Sequence, residues 1–220
     1  MTVVRPEQRR KSAWRPLAVA ASGAAVLVAV GAGVWATLSA QAVNTTPEQV
    51  TSGTLKLTLA NNGAGFGQSV SNLAPGDVVN RFVTLTNGGT LDGQALTMQV
   101  AATGSAALIT DGTGSSTTKA LRVAVDSCPT AWAPTTGTCS GTVTNLLAAT
   151  PLSALSTAAT LVSGSVTAGA NEYLRVQLTL PDQNETTVNG TLPASTIQGL
   201  TANLTYTFTE TQRTATTTNS

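Results

Sequence analysis

The chain has 220 residues and no histidine. Imidazole is the usual general base near neutral pH and the commonest ligand of catalytic zinc. Its absence removes Ser–His and Cys–His nucleophile pairs and the H-E-x-x-H zinc motif. Charge is scarce too, at 10% of residues. Five of the 11 basic side chains (Arg5, Arg9, Arg10, Lys11 and Arg15) crowd the first 15 positions. Beyond residue 42, six basic side chains face nine acidic ones, a net charge of −3. A weakly acidic chain without a basic run has no electrostatic footprint for nucleic acid, so no nucleic-acid partner is expected. The acids are scattered. The densest run, Asp182-Gln183-Asn184-Glu185, reads as a solvated loop. Cysteine is limited to Cys128 and Cys139, in CPTAWAPTTGTC. That spacing is neither C-x-x-C nor a zinc pattern. No catalytic residue, metal ligand or cofactor is expected.

Long hydrophobic runs are absent except one. From Leu17 to Leu38 no charged residue occurs, and Ala40-Gln41-Ala42 follows. A basic start, an apolar stretch and an A-x-A site form an export signal, with cleavage expected between Ala42 and Val43. Signal peptidase is then a partner during export, and the membrane is met only through this segment before cleavage. The same stretch is long enough to span a bilayer as a helix, so an uncleaved anchor is the competing reading. The expected organisation is a signal peptide at 1–42, an extended segment at 43–52, a β-sandwich domain at 53–212 and a disordered polar tail at 213–220. Export permits disulfides. Cys128 and Cys139 are expected to bond to each other, contributing about 2–3 kcal/mol by loop closure. Trp132, inside their loop, either packs over the disulfide or anchors a ligand.

What is abundant is Thr, Val, Ala, Gly and Ser, a composition suited to pleated strands and turns. Period-two alternation marks Thr54–Leu59, Leu121–Asp126, Tyr173–Leu180 and Leu204–Thr209 as strands with one buried face. Val78–Thr86, Leu96–Ala101 and Thr160–Val166 complete a set of seven or eight with the turn signals between them. Those signals include Asn61-Asn62-Gly63, Pro75-Gly76-Asp77, Asn87-Gly88-Gly89, Asp111-Gly112 and Asn189-Gly190. Pro75-Gly76-Asp77 is expected to turn the chain into a strand, since proline presets one torsion and glycine accepts positive φ. Asn145–Ala159 is the one stretch with room for a short helix. Gly63-Ala64-Gly65-Phe66-Gly67 reads as a flexible loop, because no helix pattern follows it for a phosphate cradle. The result is an all-β sandwich or barrel.

Several segments stand in a familiar order. They are Val34–Ala40, Thr51–Leu57, Asn72–Asp77, Val83–Leu91, Leu180-Pro181-Asp182 and Tyr206–Arg213. The set resembles the TasA/camelysin (CalY) family of exported proteins, whose leaders are processed by a SipW-type signal peptidase. The resemblance implies a jelly-roll-like antiparallel β-sandwich at the cell surface or in the biofilm matrix. TasA-like members build fibres in which an N-terminal strand of one subunit completes the sheet of the next. Camelysin-like members carry a metalloprotease classification, which the lack of histidine opposes. The expectation is a secreted, non-enzymatic structural protein that self-associates into fibres or oligomers. The alternatives are a surface binding module or adhesin anchored by Leu17–Leu38, a metalloprotease, and a monomeric secreted protein. The candidate donor strand is Val43–Ser52, with Val43 and Val50 as its apolar residues. Its polarity, and Pro47, which removes one ladder hydrogen bond, equally suit a plain N-terminus.

Overall fold

The structure is a computed structural model and describes residues 49–113, 117–183, 185–194 and 196–218. The chain divides into two units, residues 1–51 and residues 52–220. The expected leader, with Ala40, Ala42 and Val43, lies outside the described residues. Among those described, no helix is long and apolar enough to cross a membrane.

The second unit is the expected all-β antiparallel sandwich. Its strands are β1 (Leu57–Asn62), β2 (Val78–Asn87), β3 (Gly93–Gly104), β4 (Arg122–Cys128), β5 (Thr144–Pro151), β6 (Ala159–Val162), β7 (Asn171–Thr179) and β8 (Ala202–Gln212). One sheet has the order β1-β2-β7-β4-β5 and the other β6-β3-β8. Every pairing is antiparallel. Alternation decides which side chains meet between the sheets. Val83 and Leu85 of β2, Leu174 and Val176 of β7, and Val123 and Val125 of β4 meet Leu96, Met98 and Val100 of β3 in one buried cluster. Opposite parity sends Phe82, Tyr173 and Cys128 into a second, smaller cluster.

Turn chemistry sets the strand ends. Gly76 takes φ 91° after Pro75. Asp77 N–H closes the turn on the Ala74 carbonyl at 3.0 Å, and the Asp77 carboxylate accepts from Ala74 N–H at 2.8 Å. Strand β2 starts at the next residue, as the motif implied. Asn87 ends β2 fully buried. Its amide donates to the carbonyls of Leu91 at 2.9 Å and Val166 at 3.2 Å, and its oxygen accepts from Gly89 N–H at 3.1 Å.

Four expectations about elements change. The stretch Asn145–Ala159 does not hold an α-helix. It forms β5, then a short 3-10 turn at Ala154–Ser156, and then begins β6. Strand β5 pairs with β4 through two register shifts. A bulge places two residues against one and breaks the alternation that marks a strand. Strand β1 begins at Leu57, because Thr54 and Lys56 bond instead to the turn after β2. Their carbonyls accept from Thr90 N–H at 2.8 Å and Gly88 N–H at 2.7 Å. Leu59 is 44% exposed on this edge strand, so the three leucines do not share a buried face. Strand β6 stops at Val162, although Val166 still exchanges two backbone bonds with Gly93. A single helical turn, α1 (Ala106–Ile109), buries Leu108 and is too short to leave a periodic signal. Residues 213–218 are exposed and carry no regular structure.

Candidate functional site

The disulfide joins Cys128 at the end of β4 to Cys139 in the β4–β5 loop. The loop folds over the outer face of the larger sheet. Trp132 is 3% exposed and tilts against Phe82 of β2 with ring centres 5.7 Å apart. Its indole Nε1 donates to the Tyr173 carbonyl of β7 at 3.0 Å. Its own carbonyl accepts from Asn62 Nδ2 of β1 at 2.8 Å. The Arg175 guanidinium lies 4.6 Å from the ring centroid and pairs with Asp126 at 2.7 Å. Asp126 also accepts from Asn145 Nδ2 at 2.9 Å. The loop is thus a strap across β1, β2, β7 and β4, and Trp132 packs beneath it with no face turned to a ligand.

The carboxylates are dispersed and mostly engaged. A hydrogen bond from Arg122 at 2.7 Å holds Asp111 below the usual carboxylate range, with help from Ala120 N–H. Asp92 accepts from Ala168 N–H at 2.9 Å. Asp182 and Glu185 do not form a plain solvated loop. Lys119 Nζ donates to the Asp182 carbonyl at 2.9 Å. Glu185 accepts from Ile197 N–H and Thr196 Oγ1, each at 2.6 Å, and from Gln198 Nε2 at 3.2 Å. Desolvation pushes the Glu185 carboxyl up, but those three bonds outweigh it and hold its pKa down. Burial raises the pKa of Glu172 and Glu210. Both Glu210 oxygens are buried without a hydrogen-bond partner. Among the described residues no three of His, Cys, Asp or Glu converge. The undescribed residues contribute only Glu7 and Glu48 to that group.

The remaining feature lies under β8. This strand pairs with β3 on one side and ends the smaller sheet on the other. Its even-numbered residues from Ala202 to Phe208 are half-buried, while Thr205, Thr207 and Thr209 face solvent. Between β8 and strands β2 and β7 lies a cleft of about 720 Å³. Its lips are residues 66–73 and 197–204. Phe66 stacks on Tyr206 at 4.3 Å, and the Glu185 bonds fix the second lip at Ile197. Arg81 occupies the inward parity of β2, between Val79 and Val83, and lines the cleft. Its Nη2 donates to the Gln68 carbonyl at 3.1 Å. Among the described residues it has no carboxylate partner. Burial pushes the Tyr206 phenol up to about 12, and the nearby Arg81 charge only partly offsets this.

The residues expected from sequence are therefore not gathered in one place. Cys128 and Cys139 meet, Val50 is 86% exposed, and Val43 is not described. The cleft was not anticipated. Its signal was an arginine in the inward register Val79-x-Arg81-x-Val83-x-Leu85, where every other member is apolar.

The family described as Camelysin metallo-endopeptidase matches residues 15–217. No curated protein matches the chain. One similar solved structure is described as "AvmM Catalyzes Macrocyclization in Alchivemycin A Biosynthesis". It is 11% identical, over 74% of this chain and 91% of that one, with a TM-score of 0.29. A likeness that loose carries no argument about this chain.

Proposed function

The chain belongs to the camelysin family, and from that premise we propose that it is an exported structural protein of the cell surface or extracellular matrix that self-associates, as a subunit of biofilm-matrix fibres. The observation that carries this reading is the free edge of β8. It is 11 residues long, contains no proline or glycine, and has a single charge, Glu210. Edges of monomeric sheet proteins are commonly blunted by charge, proline or short length. An unblunted edge is a template for another strand, and Val43–Ser52 is the segment that export would release to supply one.

Against the peptidase in the family's name, the described residues gather no three of His, Cys, Asp or Glu. A catalytic zinc needs imidazole, thiolate or free carboxylate ligands held together. This chain has no histidine, and both cysteines are in the disulfide. Asp111, Asp126 and Glu185 are already bonded elsewhere in the fold.

Deleting Val43–Ser52 from the exported protein tests the fibre reading. The expected result is a folded monomer by circular dichroism and size analysis, alongside fibres from the intact protein by electron microscopy. A deletion mutant that polymerises like the parent would show that this segment is not the donor. Absence of fibres and oligomers from both would remove the structural reading itself.

A further inference from the structure

An arginine side chain pointing between two sheets is costly unless its charge is met. Arg81, half-buried, does so from the middle of β2, and its hydrogen bond is to a neutral carbonyl, that of Gln68. Leu121, Leu178, Leu180, Ile197 and Leu204 form an aliphatic wall, and polar residues such as Gln68, Asn72, Gln198 and Asn203 line the rest of the cleft. Strand β8 contributes Asn203 and Tyr206 to the lining, and the Tyr206 hydroxyl makes no hydrogen bond among the described residues. A phenol is neutral at physiological pH, so this hydroxyl can donate. A cleft of about 720 Å³ falls within the usual range for small-ligand sites, roughly 300–1,000 Å³. One cation and one phenol beside an aliphatic wall suit a single anionic head on an apolar tail, with the polar lips around the head.

We propose that the cleft beneath β8 binds a long-chain carboxylate, with its tail along Leu121, Leu178, Leu180 and Ile197 and its head on the Arg81 guanidinium and Tyr206 hydroxyl. Phe66, stacked on Tyr206, closes the outer lip over the head. The bond from Arg81 to the Gln68 carbonyl ties this lip to the same guanidinium that receives the ligand. The rival occupant is residues 43–52 of a second copy. That segment, VNTTPEQVTS, offers Arg81 the Glu48 carboxylate, but it has only two valines for the aliphatic wall and would bury Asn, Gln and three Thr side chains with them. Burying hydroxyls and amides against leucines opposes binding. The proposal goes beyond the fibre reading and stands whether or not fibres form.

The test is titration of the purified full chain with cis-parinaric acid, followed by displacement with palmitate or palmitate methyl ester. One saturable site is expected, displaced by palmitate and far less by the ester. Arg81→Met should weaken binding about tenfold or more, the loss typical of one charge-assisted hydrogen bond. Tyr206→Phe should weaken it less, and Lys56→Met, on the exposed surface, not at all. Should Arg81→Met fail to fold, Leu204→Trp, which fills the cleft from β8, must abolish binding instead. Unchanged affinity in both Arg81→Met and Leu204→Trp, or equal displacement by acid and ester, overturns the proposal. Photo-crosslinking with a diazirine palmitate places the site. Label on peptides 66–73 or 197–206 supports it. Label confined to residues 17–38, or cleft peptides joined to residues 43–52 of another copy, overturns it.

Discussion

At the scale of single residues, Glu210 stands out among the described residues for buried side-chain oxygens without a hydrogen-bond partner. It sits inward on β8, opposite Leu96 of β3, and its side chain fills the space that a Cβ at Gly93 would need. Both of its oxygens lack partners, and burial favours the protonated form. The sign follows from the raised pKa. Below the ordinary glutamate range the group is neutral in folded and unfolded chains alike, and the fold keeps its full stability. As pH rises through the raised folded-state value, ionisation is opposed in the fold and stability is lost. Glu210→Met removes the charge with little change in length. It should stabilise the protein at pH 7 by on the order of 1 kcal/mol, and the gain should vanish near pH 4. Thermal unfolding of both proteins across that range is the measurement. A gain that persists unchanged at pH 4 would mean that packing, not ionisation, is responsible. Gly93 belongs to the same contact: any larger residue there collides with Glu210.

At the scale of elements, the Cys128–Cys139 strap and strand β8 make separate predictions. The strap closes a loop of sequence separation 11. Loop-closure entropy then gives about 2–3 kcal/mol. Reduction, or a Cys128→Ala/Cys139→Ala double substitution, should lower stability by that amount in urea without abolishing the fold. The core between the sheets does not depend on the strap. Trp132 emission should shift to longer wavelength as the indole leaves Phe82 and Arg175. Peptide mapping without reductant should recover the two cysteines joined. Strand β8 is expected to be the adhesive edge. Thr205→Lys with Thr207→Lys adds charge on its exposed face, in the manner by which natural edges are blunted. The doubly substituted protein should unfold at nearly the parent's temperature and sediment as a monomer. Continued assembly would assign self-association to another edge, such as β1 or β5.

For the whole molecule, the decisive event is processing. Cleavage after Ala42 should give a mature chain beginning at Val43, as read by N-terminal sequencing of protein from the medium. Full-length chain recovered only with membranes would instead describe a surface module held by Leu17–Leu38. The two outcomes change what the sandwich can do. A free Val43–Ser52 segment can reach a neighbour's edge, whereas an anchored one stays tied to its own leader.

Much of this was legible in residue order alone. Alternation in Leu121–Asp126 and Tyr173–Leu180 located β4 and β7, because a strand with one buried face must repeat every two residues. Pro75-Gly76-Asp77 located the start of β2, because only certain torsions close that turn. The absence of histidine bore on zinc chemistry without any coordinates. Tertiary structure alone decided the rest. Strand β5 was hidden because its bulged pairing with β4 erases the alternation. Leu59 looked like core and is exposed because β1 lies at the sheet edge, a position no local pattern encodes. Glu185 looked like a solvated acid and instead holds Ile197, 12 residues further along. Arg81 was an oddity in an apolar register until β8, more than a hundred residues later in sequence, placed Tyr206 near it. Local sequence specifies which face a side chain takes, but what stands opposite that face is set by strand pairing between distant segments.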